Sequence, residues 1–266
     1  RLKIIFPVMV KRIKDWMGTH EAPHADEAGA YWLIQKFAGS EFIAKYSAME
    51  TVGGKVYSVI NVGVGLGPLD EHGGKEGECA MSLVAKALGI YDYPPIKRIV
   101  DIILRQDLNG GGDPLGIIRT ANAMSRINPQ DPREMLAWFV KALDAIYEEE
   151  IGFYEAEKEF PRAGQIKQLG KVRMVVIQSD SPYMAKIAFS KKAAVVLQRN
   201  SAGLTQIQAR HDISLEKVAG EFIRIEPGKW YLKGKGLLLN GSRTYPEVPP
   251  TKFTLEYIEQ KIRYYL

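Results

Sequence analysis

Thr19-His20-Glu21-Ala22-Pro23-His24-Ala25-Asp26-Glu27 lies between a short apolar run and a segment with helical spacing. Two imidazoles and three carboxylates fall within positions 20 to 27. His and Asp are a borderline-hard ligand set suited to Mn, Fe or Zn. The spacing of His20, His24 and Asp26 suits a loop that wraps a metal at the C-terminal end of a strand. Open α/β sheets keep their chemistry at such ends. The plainer reading is a polar loop capping the helix that starts near Asp26.

The other histidines weigh between these readings. The chain has four, His20, His24, His72 and His211, and three of them lie in two acidic clusters of its first third. The second cluster is Gly63-Val64-Gly65-Leu66-Gly67-Pro68-Leu69-Asp70-Glu71-His72-Gly73-Gly74. A scarce residue set twice beside carboxylates favours a two-cluster metal site. The glycines let backbone approach a ligand closely. They match neither the dinucleotide fingerprint nor the Walker spacing.

At 266 residues, 46% hydrophobic and 25% charged, the chain has the composition of a globular protein with room for one large or two small domains. Its single cysteine, Cys79, excludes an internal disulfide and a cysteine-built zinc finger, and fits a reducing, cytoplasmic compartment. No apolar run approaches the roughly 20 residues that span a bilayer. Leu2 to Val10 is mostly apolar, but Lys11, Arg12 and Lys14 follow without a cleavage site, so it is not read as a signal peptide. The sequence opens on Arg1 and is expected to continue upstream. Charge is uneven: residues 151–266 carry 19 basic and 11 acidic side chains, a net of +8, against −3 for the remainder. That asymmetry suits metal chemistry in one half and polyanion capture in the other, or simply a basic solvated surface.

Periodicity predicts strands over 2–10, 14–18, 41–48 and 55–64, with helices over 26–37, 76–88, 96–108, 114–125 and 133–158. Asp131-Pro132 is an N-cap and N1 pair for the last of these. The alternation reads as an α/β domain with a mostly parallel Rossmann-like sheet and helices on both faces. The pattern changes around Pro161–Gly170. A smaller α+β domain is expected after it, with strands at 172–178, 186–189, 193–198 and 204–208. Short helices are expected at 214–221 and 254–264, with a loop over 241–250.

The N-terminal half resembles the DHH phosphoesterase superfamily, and within it the Myg-type metal-dependent exonucleases. The resemblance rests on His20-x3-His24-x-Asp26-Glu27, then a strand, then Asp70-Glu71-His72 before a helix, then Asp107-Leu108-Asn109-Gly110. It implies a DHH-like catalytic domain over 1–160 and a basic substrate-binding domain over 161–266. By position, His20 and His24 would hold one divalent ion and Asp26 the other, with Asp107 (or Asp101) completing the second. His72 falls where the family's last histidine meets the scissile phosphate. Two positions depart from the family. Asn61 stands where a bridging aspartate is expected, so either Asp70 takes that role or one metal alone binds tightly. Glu71 replaces a ligand histidine, which shifts preference toward Mn or Mg. The family's Gly-Gly-Gly-His motif is absent from the second domain; the nearest glycine loop is Asn240-Gly241-Ser242-Arg243-Thr244.

The resemblance implies a phosphodiesterase that hydrolyses RNA or short oligonucleotides in an interdomain cleft. One or two divalent ions would serve it, Mn foremost, with Mg, Zn or Fe as alternatives. His72 and Asp70 are its expected catalytic residues, and His20, His24, Asp26, Asp70, Glu71 and Asp107 its metal ligands. Arg199, Arg210, His211 and Arg243 are expected phosphate contacts, since guanidinium forks suit bidentate binding. Tyr183, Trp230, Tyr231 and Tyr245 are candidates for base stacking. No membrane partner is implied, and a homodimer is compatible. Two other classes stay open: a non-catalytic nucleic-acid binder with a degenerate site, and a metallohydrolase of a non-phosphate bond. A serine hydrolase is disfavoured, as no Gly-x-Ser-x-Gly elbow is present.

Overall fold

The computed structural model describes residues 4–10, 13–20, 22–52, 54–111, 113, 116–129, 131–241 and 247–266. Glu21, Arg243 and Tyr245 lie outside them. The chain divides into two units, Arg1–Ile151 and Gly152–Leu266.

In the first unit, strands β1 (Ile4–Val10) and β2 (Ile13–Thr19) pair as an antiparallel hairpin. Helix α1 (Ala25–Phe37) follows the histidine loop, then α2 (Ser40–Tyr46), β3 (Ser47–Val52) and β4 (Lys55–Asn61). The sheet order is β1-β2-β4-β3. Only β2 and β4 run parallel; β3 folds back on β4 as a hairpin. The sheet is therefore mixed, which corrects the expected mostly parallel one. The reason is local. The segment expected as a strand over 41–48 is largely α2, whose Phe42 and Ile43 turn inward, and the strand pairing with β4 begins only at Ser47.

Helices α3 (Ala80–Ala87), α4 (Pro94–Asn109), α5 (Ile117–Ile127) and the part of α6 (Arg133–Ala163) up to Ile151 complete this unit's core with α1. Leu33, Ile34, Met81, Val84, Val100, Phe139 and Leu143 are all nearly or wholly buried. Gly29 sits where α1 meets α3: a Cβ there would lie 2.5 Å from the sulfur of Met81. Asp144 on α6 accepts from Trp32 Nε1 and Lys36 Nζ, each at 2.9 Å, and so ties α6 to α1.

The second unit is a six-stranded sheet in the order β5-β6-β7-β8-β10-β9. Its strands are β5 (Gly164–Leu169), β6 (Val172–Gln178), β7 (Val195–Arg199), β8 (Thr205–Ala209), β9 (Trp230–Lys233) and β10 (Leu237–Asn240). Its helices are α7 (Met184–Ser190), α8 (Glu216–Ile225) and α9 (Leu255–Tyr265). The strand expected over 186–189 is thus part of helix α7, which crosses over between the parallel pair β6 and β7. Side chains alternate along these strands. Met174, Val176, Val195 and Leu197 join the core with α8 and α9, while Val175, Ile177 and Val196 join the one with Ala156, Phe160 and α7. A strand covered on both faces reads as a continuous apolar run, as β6 does.

Glu226, just past α8, is 8% exposed and holds the C-terminal segment in place. Its carboxylate accepts from Trp230 Nε1 at 3.0 Å, Thr251 Oγ1 at 2.5 Å and Lys252 N at 2.9 Å. Burial alone would raise its pKa, but these bonds outweigh burial and hold it below the ordinary value. A depressed carboxyl pKa contributes stability present above the unfolded value and lost as pH falls through the folded one. Glu226→Gln should cost about 2 kcal/mol at neutral pH, in the range for hydrogen bonds to a charged group. Urea denaturation across the acid range should show the gap between wild type and variant closing as pH falls. A gap that stays constant with pH would assign the cost to shape alone.

Candidate metal centre

β2 and β4 end side by side, with Gly18 registered against Asn61. From β2 the chain enters the histidine loop, and from β4 the glycine-rich loop, so the two acidic clusters are brought together at one end of the parallel pair. A cavity of about 440 Å³ lies there, lined by His20, His24, Asp26, Glu71, His72 and Asp107 with Glu27 and Lys75 among others. Five of the six expected metal ligands, together with His72, line this one space.

His24 is the N-cap of α1, and its backbone N–H donates to Glu27 Oε2 at 2.6 Å. Glu27 Oε1 lies 3.6 Å from His20 Nε2. Asp26 is buried and accepts from Ala80 N, the first residue of α3, at 3.2 Å. A carboxylate at a helix N-terminus is favoured by the helix dipole. Ligand atoms of His24, Asp26 and Glu27 lie within 4.8 Å of one another, and so do those of Asp70, Glu71 and His72.

Asp70 caps the short 3-10 turn Glu71–Gly73. Its Oδ1 accepts from His72 N at 3.0 Å and faces His72 Nδ1 at 2.8 Å, while Oδ2 accepts from Leu66 N at 2.6 Å. Asp70 is thus the expected ligand that does not line the cavity; it orients His72. The His20 and His72 rings meet edge to face with centroids 5.8 Å apart. Of the two aspartates on α4, Asp107 reaches the cavity, whereas Asp101 accepts from the Tyr91 hydroxyl at 2.9 Å. Asn61 donates to Glu50 Oε1 at 2.5 Å.

The electrostatics are those of crowded carboxyls. Burial, followed by the charge of Asp26, raises Glu27 well above the ordinary value and also raises Glu71. The same two causes push Asp107 up to about 6, although its side chain is open to solvent. The hydrogen bond to Asp70 raises His72. Glu71 Oε2 and Thr19 Oγ1 are buried with no hydrogen-bond partner among the described residues. Two imidazoles, several crowded carboxylates and an orphaned carboxylate oxygen fit a hard or borderline divalent cation. Cys79 is buried, and burial pushes its thiol up to about 12, so it offers no thiolate.

Of two further residues here, Lys75 escaped the sequence reading and Glu27 was named in it without a role. Glu27 closes the capping box, a role the Asp26-Glu27 pair could have signalled. Lys75 Nζ donates to the carbonyls of Gly67, Pro68 and Asp70 at 2.8, 3.0 and 2.7 Å, closing the glycine-rich loop from inside. That loop also depends on Gly63, whose φ is +65° and where a Cβ would lie 2.9 Å from Glu27 Cγ.

The expected phosphate contacts do not gather. Arg199 and Arg210 stand at opposite ends of β8. The former donates to Thr205 Oγ1 at 2.9 Å and to the Phe253 carbonyl at 2.7 Å. The latter makes a two-pronged pair with Asp212. His211 is exposed beside it, and Arg243 lies outside the described residues. Trp230 is a core residue rather than a stacking platform, while Tyr231 is exposed. Tyr183 packs edge to face on Phe153.

Lys75→Met should loosen the glycine-rich loop at a cost of about 2 kcal/mol, the scale of hydrogen bonds from a charged donor. Chemical denaturation reads the cost, and hydrogen exchange at residues 63–74 should speed up. Unchanged exchange in that loop would remove Lys75 from its closure.

No protein-family model and no curated protein matches the chain. Among solved structures, RecJ in complex with Mg2+ from Thermus thermophilus is similar at 12% identity and a TM-score of 0.31, over 70% of this chain and 31% of that one. The chain thus spans under a third of that protein's length. An uncharacterized protein from Helicobacter pylori is similar at 10% identity and a TM-score of 0.24, over 91% of this chain and 96% of that one. At such TM-scores neither likeness fixes a fold or an activity.

Proposed function

We propose that the chain is a divalent-metal-dependent phosphodiesterase acting on RNA or short oligonucleotides. The observation that carries this is one cavity lined by His20, His24, Asp26, Glu71, His72 and Asp107, with a buried carboxylate oxygen of Glu71 left unsatisfied. His20, His24, Asp26, Glu71 and Asp107 would hold the cation, Mn first and Mg second, with Asp70 within reach beside Glu71. Such a cation supplies Lewis acidity, neutralising phosphoryl oxygens and making an attacking water more acidic.

The chain's own groups do the rest. Asp70 fixes the His72 ring with a proton on Nδ1, which leaves Nε2 to take a proton from a reacting oxygen or return one to it. Lys75 holds the loop that carries both residues. The basic unit Gly152–Leu266 would draw polyanions toward the protein by its net charge. A second reading, a binder without turnover, is favoured by Asn61, which brings an amide where a bridging carboxylate would serve.

A labelled oligoribonucleotide should be shortened when Mn2+ is added and stay intact with chelator. Asp26→Asn and His24→Ala should each lower the rate by more than about 100-fold, the upper end of what losing even an outer metal partner costs. Mn2+ should also raise the melting temperature of wild type but not of Asp26→Asn. Stabilisation by Mn2+ without cleavage would support the binder. Neither effect with any divalent ion would sink both metal readings.

A further inference from the structure

A second cavity, of about 360 Å³, adjoins the first. His24, Asp26 and Asp107 line both, so these three residues form a common wall. The chemistry changes across it. On the far side stand Gln106 from α4 and Asn122, Ser125 and Arg126 from α5, with Ile103 and Ile118 as apolar surface. Opposite the shared Asp26 and Asp107, neutral amides and a guanidinium take the place of Glu27 and Glu71, with the buried Ile103 and Ile118 beside them. The volume lies within the range of small-ligand pockets, about 300–1,000 Å³.

The wall is fixed before any ligand arrives. Asn122 Oδ1 accepts from Ala25 N at 3.1 Å, and Ser125 Oγ donates to the Pro23 carbonyl at 2.7 Å. Both bonds lock α5 to the loop that carries His24. With Oδ1 committed, Asn122 keeps its NH2 as a donor. Among the described residues the Gln106 amide and the Arg126 guanidinium have no hydrogen-bond or ion-pair partner. Gln106 can therefore give and take on one edge, as glutamine does with adenine.

We propose that this second cavity is a nucleobase subsite, seating the base of the nucleotide whose phosphate meets the first cavity. A planar heteroaromatic base presents an edge of donors and acceptors that these amides match. A polyanion would instead face Asp26 and Asp107. The proposal rests on the phosphodiesterase reading for the phosphate but not for the base.

The test uses the full chain with Mg2+ and two probes, adenosine 5′-monophosphate and ribose 5-phosphate, which lacks the base. The first should bind at least about 10-fold more tightly, the scale of a stacked and edge-paired base. It should also shift the side-chain NH2 resonances of Gln106 and Asn122, which ribose 5-phosphate should leave in place. The double variant Gln106→Ala, Asn122→Ala should bind the two probes alike. Equal binding by wild type, or unmoved side-chain amides, overturns the subsite. Should the double variant fail to fold, the wild-type resonances decide. A protein that tells the probes apart yet cleaves nothing upholds the subsite and sinks the hydrolase. One that cleaves yet binds them alike does the reverse.

Discussion

Repulsion among carboxyl groups is the constraint on which the candidate centre turns. Asp26, Glu27, Glu71 and Asp107 line one cavity, and the cation beside them, Lys75, spends its donors on three backbone carbonyls. Two unit charges 4 Å apart repel by about 4 kcal/mol near a protein surface. Burial and, after it, this repulsion leave protons on Glu27, Glu71 and Asp107, whose values are raised for both reasons. Carboxyls that stay protonated longer in the folded chain than in the unfolded one lose stability as pH rises, through about 6 for Asp107. The fold tolerates this because the surrounding helices bury a large apolar core. A cluster costly when bare and satisfied by a cation is how binding sites and stability come to oppose each other.

How far the fold could be read follows from which interactions are local. The start of α6 was legible because Asp131-Pro132 is a local signal, and α1, α4 and α9 because they run long enough to show a 3.6-residue period. Short buried helices were not. Ser40–Tyr46 and Met184–Ser190 carry apolar residues at spacings that suit a buried strand as well as a helix, and each spans too few turns to decide. Strand direction was hidden too. Nothing in Ser47–Val52 by itself says that it folds back on β4 rather than crossing over, although the glycine pair at 53 and 54 is a hairpin signal. β9 and β10 are only four residues long and β5 buries only Leu169, so their apolar patterns are weak.

The grouping of residues at the candidate site was legible where it depends on scarce residue types and illegible where it depends on tertiary partners. Three histidines beside carboxylates mark positions 20, 24 and 72 directly. Asp107 needed the family resemblance, because an acidic residue near a helix end is common, and α4 alone is what carries it to the cavity. Asn122 acts through a bond to Ala25, far from it in sequence, and Lys75 through carbonyls of a loop whose path sequence does not give. Arg199 and Arg210 already have partners within their own unit. A guanidinium in a loop takes the nearest acceptor, and for Arg210 that is Asp212, two residues away.

Asn61, at the end of β4, shows how a sheet fixes the orientation of a side-chain amide. The hairpin between β3 and β4 brings Glu50 to the Asn61 amide nitrogen. That bond assigns the amide orientation, since N and O are told apart by their partners. The carbonyl oxygen then turns toward β2, where Gly18 has no side chain to block it; Asn61 Oδ1 is the atom nearest to where a Gly18 Cβ would stand. An amide oxygen is a hard, neutral ligand of the type that Ca2+ and Mg2+ accept. The Asn61 side chain at the end of β4 is therefore set by its neighbours in the sheet, Glu50 on one side and Gly18 on the other. On the metal-dependent reading, an uncharged side chain at this strand end would favour one tightly held cation over a pair, because it would not offset their mutual repulsion.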